Sequence, residues 1–236
     1  MKPGRPEGRP ALRMRWEKLL FLHWKWKAEE IQKTLPSGLT VDLFDGNAWL
    51  GVVPFFMRSV HPAGLFPVPW LSDFLEVNVR TYVRGPDGTP GVWFYSLACN
   101  QPLAVEIARR FFNLNYVHAS MSATGDDPLD YACKRAGSTA RFSYSPAKTG
   151  CLPASPGSLE HFLVERYVLF SANRKNQLFA GRVYHSPYCI APALGAVTSF
   201  LPAALDGFDD PARPPDHALV ALPVDVEAWP IRRCLS

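Results

Sequence analysis

Glu76, Asn78, Arg80 and Tyr82 are the residues whose types and spacing could do chemistry in this chain. They alternate within Phe74-Leu-Glu-Val-Asn-Val-Arg-Thr-Tyr-Val83. Successive strand side chains point to opposite faces, so these four share one face while Val77, Val79, Thr81 and Val83 take the other. A half-buried strand shows such a polar row to water, whereas a sheet closed on itself lines its interior with it. In an interior, Arg80 could grip a ligand carboxylate through two parallel N–H bonds. Glu76 would then fix the guanidinium or serve as a general base. The same residues also suit an internal Glu76–Arg80 pair that sets strand register and binds nothing, or a cross-strand pair at the surface. Tyr82 reads equally as a core tyrosine with its hydroxyl satisfied.

A second alternating stretch, Tyr116 to Ala123, sets Tyr116, His118, Ser120 and Ser122 opposite Val117, Ala119, Met121 and Ala123. His118 could move protons near neutral pH, although a hydrogen-bonded core or surface histidine fits the same pattern. Arg166, in Glu165-Arg166-Tyr167, would supply a second cation or tie a helix end to a strand. His23 beside Trp24 and Trp26 reads as packing at a helix start, and His185 and Tyr188 around Ser186-Pro187 read as a turn. The spacing of His23, His61, His118 and His185 does not point to a metal site. There is no phosphate-cradling glycine loop, no Gly-x-Ser-x-Gly elbow and no helical His-Glu-x-x-His, so no cofactor is expected. The five cysteines (Cys99, Cys133, Cys151, Cys189, Cys234) are odd in number and form no Cys-x-x-Cys pair, which suits buried thiols.

The elements that must position these groups are short and mostly strands. Alternation and turn chemistry predict strands at Leu39–Phe44, Ala48–Phe56, Phe74–Val83, Val92–Ala98, Tyr116–Ala123, Tyr131–Ala136, Thr139–Ser145, Tyr167–Ser171, Gln177–Tyr184 and Ala218–Ala221. Asp45-Gly46 and Gly85-Pro-Asp-Gly88 supply hairpin turns. Helices are expected at Trp24–Leu35 and Pro102–Phe112, with a shorter one after the N-cap Ser158. Pro54 argues for a strand end or bulge inside Trp49–Phe56. The segment His61–Trp70 reads as an ordered loop or a lid. Many strands and few helices predict one α+β domain, an antiparallel β-barrel or cone with a few flanking helices.

At 236 residues and 47% hydrophobic, the chain suits a single globular domain. The formal charge of +4 has one source. Residues 1–30 hold eight Lys/Arg against four Glu, and the remainder carries 17 of each sign. The first 13 residues are rich in Pro, Gly and Arg and read as a flexible basic tail, with the domain running from 14 to 236. A basic face interleaved with stacking aromatics is missing, so nucleic-acid binding is not expected. No apolar run is long enough to span a membrane and no secretory signal is legible, which makes the cytoplasm the expected location.

Taken together, Leu22-His-Trp24, Leu35-Pro36, Asp45-Gly-Asn-Ala-Trp49, Val53-Pro-Phe55, Phe74-x-Glu-x-Asn-x-Arg-x-Tyr82, Gly91-Val-Trp-Phe94, Ser96-Leu97 and Glu165-Arg-Tyr167 resemble the YqjF-like family of uncharacterised bacterial proteins. The resemblance spans roughly residues 14 to 190. That family is placed with the acetoacetate decarboxylase-like proteins, which implies a closed antiparallel β-cone around a cavity, often in a dimer. Acetoacetate decarboxylase forms a Schiff base through a lysine of depressed pKa, the handling of an amine described for that enzyme. The comparable string here, Phe112-Asn-Leu-Asn-Tyr-Val117, sets Tyr116 and Val117 where the lysines belong, and no lysine lies between Lys33 and Lys134. The resemblance therefore implies a cavity for a small organic acid or carbonyl compound without that nucleophile, unless Lys134 enters it. Glu76, Asn78, Arg80, Tyr82, Tyr116, His118 and Arg166 are the expected ligand contacts. The alternatives are a lyase or isomerase working through Glu76 and His118 without an imine, and a non-catalytic dimeric interaction protein.

Overall fold

The computed structural model describes residues 4–106, 113–148 and 150–234. Strand β1 (Leu12–Glu17) and β2 (Leu19–Trp26) form one long bent strand that breaks at Lys18, where φ is +52°. It runs antiparallel to β4 (Ala48–Pro62), β1 along the second half of β4 and β2 along the first. A short β3 (Thr40–Val41) precedes β4, and the hairpin β5 (Phe74–Arg84) and β6 (Pro90–Cys99) follows it. Next come β7 (Tyr116–His118), β8 (Ser120–Thr124), β9 (Leu129–Arg135), β10 (Ser138–Tyr144) and β11 (Leu152–Pro153). The chain closes with β12 (Val168–Ala172), β13 (Leu178–His185), β14 (Cys189–Pro192), β15 (His217–Ala221), β16 (Val224–Ala228) and β17 (Arg232–Arg233).

Hydrogen bonding links β4, β1, β16, β13, β12, β6 and β5 and returns to β4, so the main sheet closes into a ring. An arm β2–β15–β14–β11 branches from β4, and β8–β9–β10 make a separate three-stranded sheet. Pairing is antiparallel except for β6–β12 and β6–β7, which are parallel.

Two cores lie on opposite faces of this sheet. Phe21, Trp49, Val53, Phe55, Tyr82, Leu97, Leu163, Val183 and Tyr188 pack on the inward face. Leu22, Leu50, Val52, Val77 and Val79 pack on the outward face, against Leu129, Tyr131 and Phe142 of the small sheet. Residues 48–57 are therefore buried on both sides, as their uninterrupted apolar run predicts. The bulge that Pro54 suggests lies on the facing strand, where five residue steps from Glu17 to Leu22 oppose four from Phe56 to Val52, and Pro54 itself does not end β4. It pairs with Val77 on one side, and on the other it lies between the last β2 partner, Val52, and the first β1 partner, Phe56. Its missing N–H thus falls where that edge changes neighbours.

One bulge matters for the site. Val79 pairs with Ser96 but Arg80 pairs with Phe94, leaving Tyr95 as an extra residue. The insertion reverses the parity of β6, so that Val92 and Phe94 before it and Leu97 after it all reach the inner core.

Several boundaries differ from the sequence expectation. Trp24 belongs to β2, and the helix covers only Ala28–Thr34. A short run that is apolar on both faces fits helix and strand equally, and here the partner β4 decided the matter. The strand expected at 39–44 shrinks to Thr40–Val41. The stretch 116–123 divides at Ala119, with β7 in the main sheet and β8 in the small one. Residues 102–106 are helical, and the rest of the helix expected there lies outside the described residues. β1 and β16 were not expected, and together they carry the ring past β4. Residues 4–11 run beside this seam, with Arg5 ion-paired to Glu227 and lying over Trp229.

Candidate functional site: an unneutralised arginine inside the sheet

Strand register builds the site before any side chain is considered. His217 of β15 pairs with His23 of β2, His23 with Gly51 of β4, and Gly51 with Arg80 of β5. Directly opposed residues on neighbouring strands share a face, so the four form a row across the sheet. Gly51 is the gap in that row. A Cβ there would stand 3.3 Å from Arg80 Cγ, 3.4 Å from His23 Cδ2 and 3.5 Å from the Tyr82 hydroxyl.

Arg80 is 9% exposed. Its Nη2 donates to the carbonyl of Leu163 at 3.1 Å and to the Tyr82 hydroxyl at 3.3 Å. The guanidinium lies 5.3 Å from the Phe21 ring centroid and 5.6 Å from that of Tyr82. Among the described residues no carboxylate lies within ion-pair distance of it, and its Nε is buried without a hydrogen-bond partner. His23 is fully buried with both ring nitrogens unpartnered. Burial, reinforced by the Arg80 charge and by His217, holds the His23 pKa well below the usual imidazole value, so the ring is neutral. His217 completes the row, its ring centroid 5.8 Å from that of His23 and its Nε2 3.4 Å from Glu160. The helix Leu159–Val164 supplies both Glu160 and Leu163, and its Phe162 packs on Tyr82 at 5.3 Å.

The other end of the β5 row is acidic. Glu76 is 1% exposed, and its carboxylate accepts from the Tyr116 hydroxyl at 2.8 Å. Burial pushes its pKa up to about 8, against the lowering effect of hydrogen bonds from Tyr116 and Asn78. No cation pairs with Glu76 among the described residues. Asn78, one strand step toward Arg80, has a buried Oδ1 with no partner. Outside the ring, the Tyr131 hydroxyl holds the backbone carbonyl of Glu76 at 3.0 Å and fixes the strand beneath it.

The polar row of β5 is thus interior, which settles whether it faces water. The Glu76–Arg80 ion pair does not form. The two residues are two strand steps apart, roughly 13 Å between Cα atoms, and the guanidinium turns toward Leu163. Arg166 is not a free second cation. Its side chain is 6% exposed, bonds Asp42 at 2.8 Å and donates to the Phe162 carbonyl at 2.7 Å. Asp42 also accepts Arg84 at 2.9 Å, and Arg166 lies over Tyr82 and Phe162 at 5.3 and 4.1 Å. Glu165 accepts from the Tyr167 hydroxyl and from the Tyr188 amide. His118 is exposed, because β7 ends there and the chain passes to the outer sheet. Lys134 is exposed on β9. No group of three or more His, Cys, Asp or Glu suited to a metal occurs among the described residues.

His23, His217 and Gly51 are the members that sequence reasoning missed. Assigning His23 to a helix start hid its alternation with Phe21 along β2. His217 lies at the far end of the chain, and only strand pairing brings it alongside.

Residues 13–225 match the model of the family DUF2071, an uncharacterized conserved protein. The chain is 32% identical to the uncharacterized protein YqjF of Bacillus subtilis (strain 168) over 231 residues, covering 97% of this chain and 94% of that protein. Among solved structures, the enduracididine biosynthesis enzyme MppR complexed with pyruvate is similar with a TM-score of 0.67 at 12% identity, covering 96% of this chain and 91% of that one. Acetoacetate decarboxylase from Legionella pneumophila gives 0.65 at 14% identity, covering 100% and 92%. An acetoacetate decarboxylase-like enzyme from Sphingomonas wittichii RW1 gives 0.64 at 12%, covering 97% and 95%. At such identities the likeness is one of fold. The chain belongs to the uncharacterised DUF2071, YqjF-like family and is built on the acetoacetate decarboxylase-like fold.

Proposed function

We propose that the ring is a barrel or cone that binds a small organic acid or carbonyl compound in its interior, with the ligand's carboxylate on Arg80. One observation carries this reading: a buried guanidinium with an unpartnered Nε and, among the described residues, no carboxylate within ion-pair distance. Leaving a charge unpaired away from water costs several kcal/mol, and a bound anion removes that cost. The neutral ring of His23, the ring of His217 and the missing side chain of Gly51 surround the same point. MppR, a neighbour in fold, is complexed with pyruvate, itself a small organic acid. Every lysine among the described residues is at least partly exposed, so binding is proposed without an imine.

Native mass spectrometry and calorimetry with a panel of carboxylates test the reading. Arg80→Met should abolish binding of any acid the native protein takes. Equal binding by the variant, or a borohydride-trapped ketoacid adduct on a lysine, would overturn it. A second reading rests on the Tyr116–Glu76 hydrogen bond: a carboxyl titrating near neutrality can exchange protons with a ligand carbonyl. Solvent deuterium incorporated into a bound ketoacid, and lost in Glu76→Gln, would favour that chemistry over simple binding.

A further inference from the structure

The inward face of β5 sorts its unsatisfied atoms by chemistry. At the Arg80 end they are N–H groups and imidazole nitrogens: Arg80 Nε and both nitrogens of His23. At the Glu76 end they are acceptors: the Asn78 Oδ1, which has no donor, and the Glu76 carboxyl, which has Tyr116 but no cation. Arg80 thus carries an unneutralised positive charge at one end of the strand, and Glu76 holds a buried, protonated carboxyl with no cation beside it at the other. The walls between the ends are apolar, since Val53 and Leu97 flank Asn78 in register and Phe55 pairs with Glu76.

We propose that the interior ligand is dipolar, an ω-amino acid whose carboxylate meets Arg80 and His23 and whose ammonium meets Glu76 and Asn78. The inference rests on the organic-acid reading above and deepens it. Asn78 and Glu76 stand roughly 7 and 13 Å from Arg80 along the strand, measured between Cα atoms. Inward-reaching side chains shorten the interval that a ligand must bridge. A chain of four to six carbons spans roughly 5–8 Å, whereas an α-amino acid is too short to reach both ends. Its methylene groups lie against Val53 and Leu97, and its ammonium supplies three donors to the Asn78 oxygen and to Glu76, which releases its proton to solvent as the cation binds beside it. A plain fatty acid of the same length satisfies only the Arg80 end and leaves the Asn78 acceptor unmade, which carries the full desolvation cost.

Calorimetry on the full chain with 6-aminohexanoate, hexanoate and 6-hydroxyhexanoate tests this. The amino acid should bind at least tenfold more tightly than either of the others. Glu76→Gln should bring 6-aminohexanoate to the level of hexanoate while leaving hexanoate unchanged, and Arg80→Met should abolish all three. Equal or weaker binding of 6-aminohexanoate relative to hexanoate in the native protein overturns the dipolar assignment and leaves the organic-acid reading standing. Weakening of both acids alike by Glu76→Gln overturns it as well. If none of the three acids binds, this inference fails and the carboxylate panel decides the organic-acid reading; if Arg80→Met binds them unchanged, both fail. The comparison of ligands on the native protein decides the matter even if a variant does not fold.

Discussion

Glu76 titrates in the opposite sense to an ordinary surface carboxylate, and that gives a measurable signature. Its pKa is raised from the usual 4.5 to about 8 by burial. Below 4.5 both the folded and the unfolded chain hold the proton. Between 4.5 and about 8 the unfolded chain releases it while the folded chain keeps it. The unfolded state therefore binds fewer protons, and the contribution of this group to stability falls by about 1.4 kcal/mol per pH unit across that window. Glu76→Gln has no proton to lose. Its melting temperature relative to the native protein should rise steadily between pH 5 and pH 8, and a constant difference would contradict the buried, uncharged state. Arg80 predicts a separation of stability from binding. Apolar replacement of a buried charge is neutral or stabilising in many proteins, and functional sites keep such charges at the expense of stability. Arg80→Met should unfold in urea at a midpoint no lower than the native one while binding no carboxylate.

At the scale of elements, the short helix Leu159–Val164 is what covers the arginine. Ser158 caps it, its Oγ accepting from the His161 amide at 3.2 Å, and Leu163 reaches Arg80 through a carbonyl that the last turn leaves free. A helix this short depends on its cap and its packing rather than on its own propensity. Ser158→Ala should cost about 1 kcal/mol. Hydrogen exchange should quicken across residues 159–165 before the ring strands respond. Uniform acceleration over the whole protein would show that the helix does not open on its own. The polar row of β5 was legible in the sequence because a period of two needs only local information. The bulge at Tyr95 was not legible: nothing in Trp93-Phe-Tyr-Ser-Leu97 marks which residue is extra, and only the partner strand defines it.

For the whole molecule, a shielded ion-pair cluster fastens the small sheet to the ring, alongside the Tyr131 and Tyr144 hydroxyls on the Glu76 and Lys18 carbonyls. Arg135 of β9 bonds Asp206 at 2.6 Å and Ser96 of β6 at 3.0 Å, and Asp206 follows the helix Leu201–Ala204. The Asp206 side chain is 5% exposed and that of Arg135 20%, so the pair is shielded from solvent. Removing one member leaves the other buried and unpaired, which costs about 3–5 kcal/mol. Asp206→Ala should lower the urea midpoint accordingly, and Arg135→Met combined with it should recover part of the loss. If the single variant is as stable as the native protein, the cluster does not hold the layers together. Ring closure itself could not be read from the chain. It depends on β1, whose Arg13-Met-Arg-Trp16 run overlaps the segment read as a basic tail, and on β16, which follows β15 after only Leu222 and Pro223.

The sequence by itself determined that Glu76, Asn78, Arg80 and Tyr82 share a face, that strands dominate, and that the apolar run Trp49–Phe56 is covered on both sides. Each follows from local alternation and apolarity along one segment. Only the tertiary structure decided that this face points inward, that Glu76 and Arg80 stay apart, and that Arg166 is already neutralised by Asp42. It also brought His217 and His23 into line with Arg80 across Gly51. Those outcomes depend on which strands become neighbours, and strand pairing is set by closure of the whole sheet rather than by the residues within any one strand.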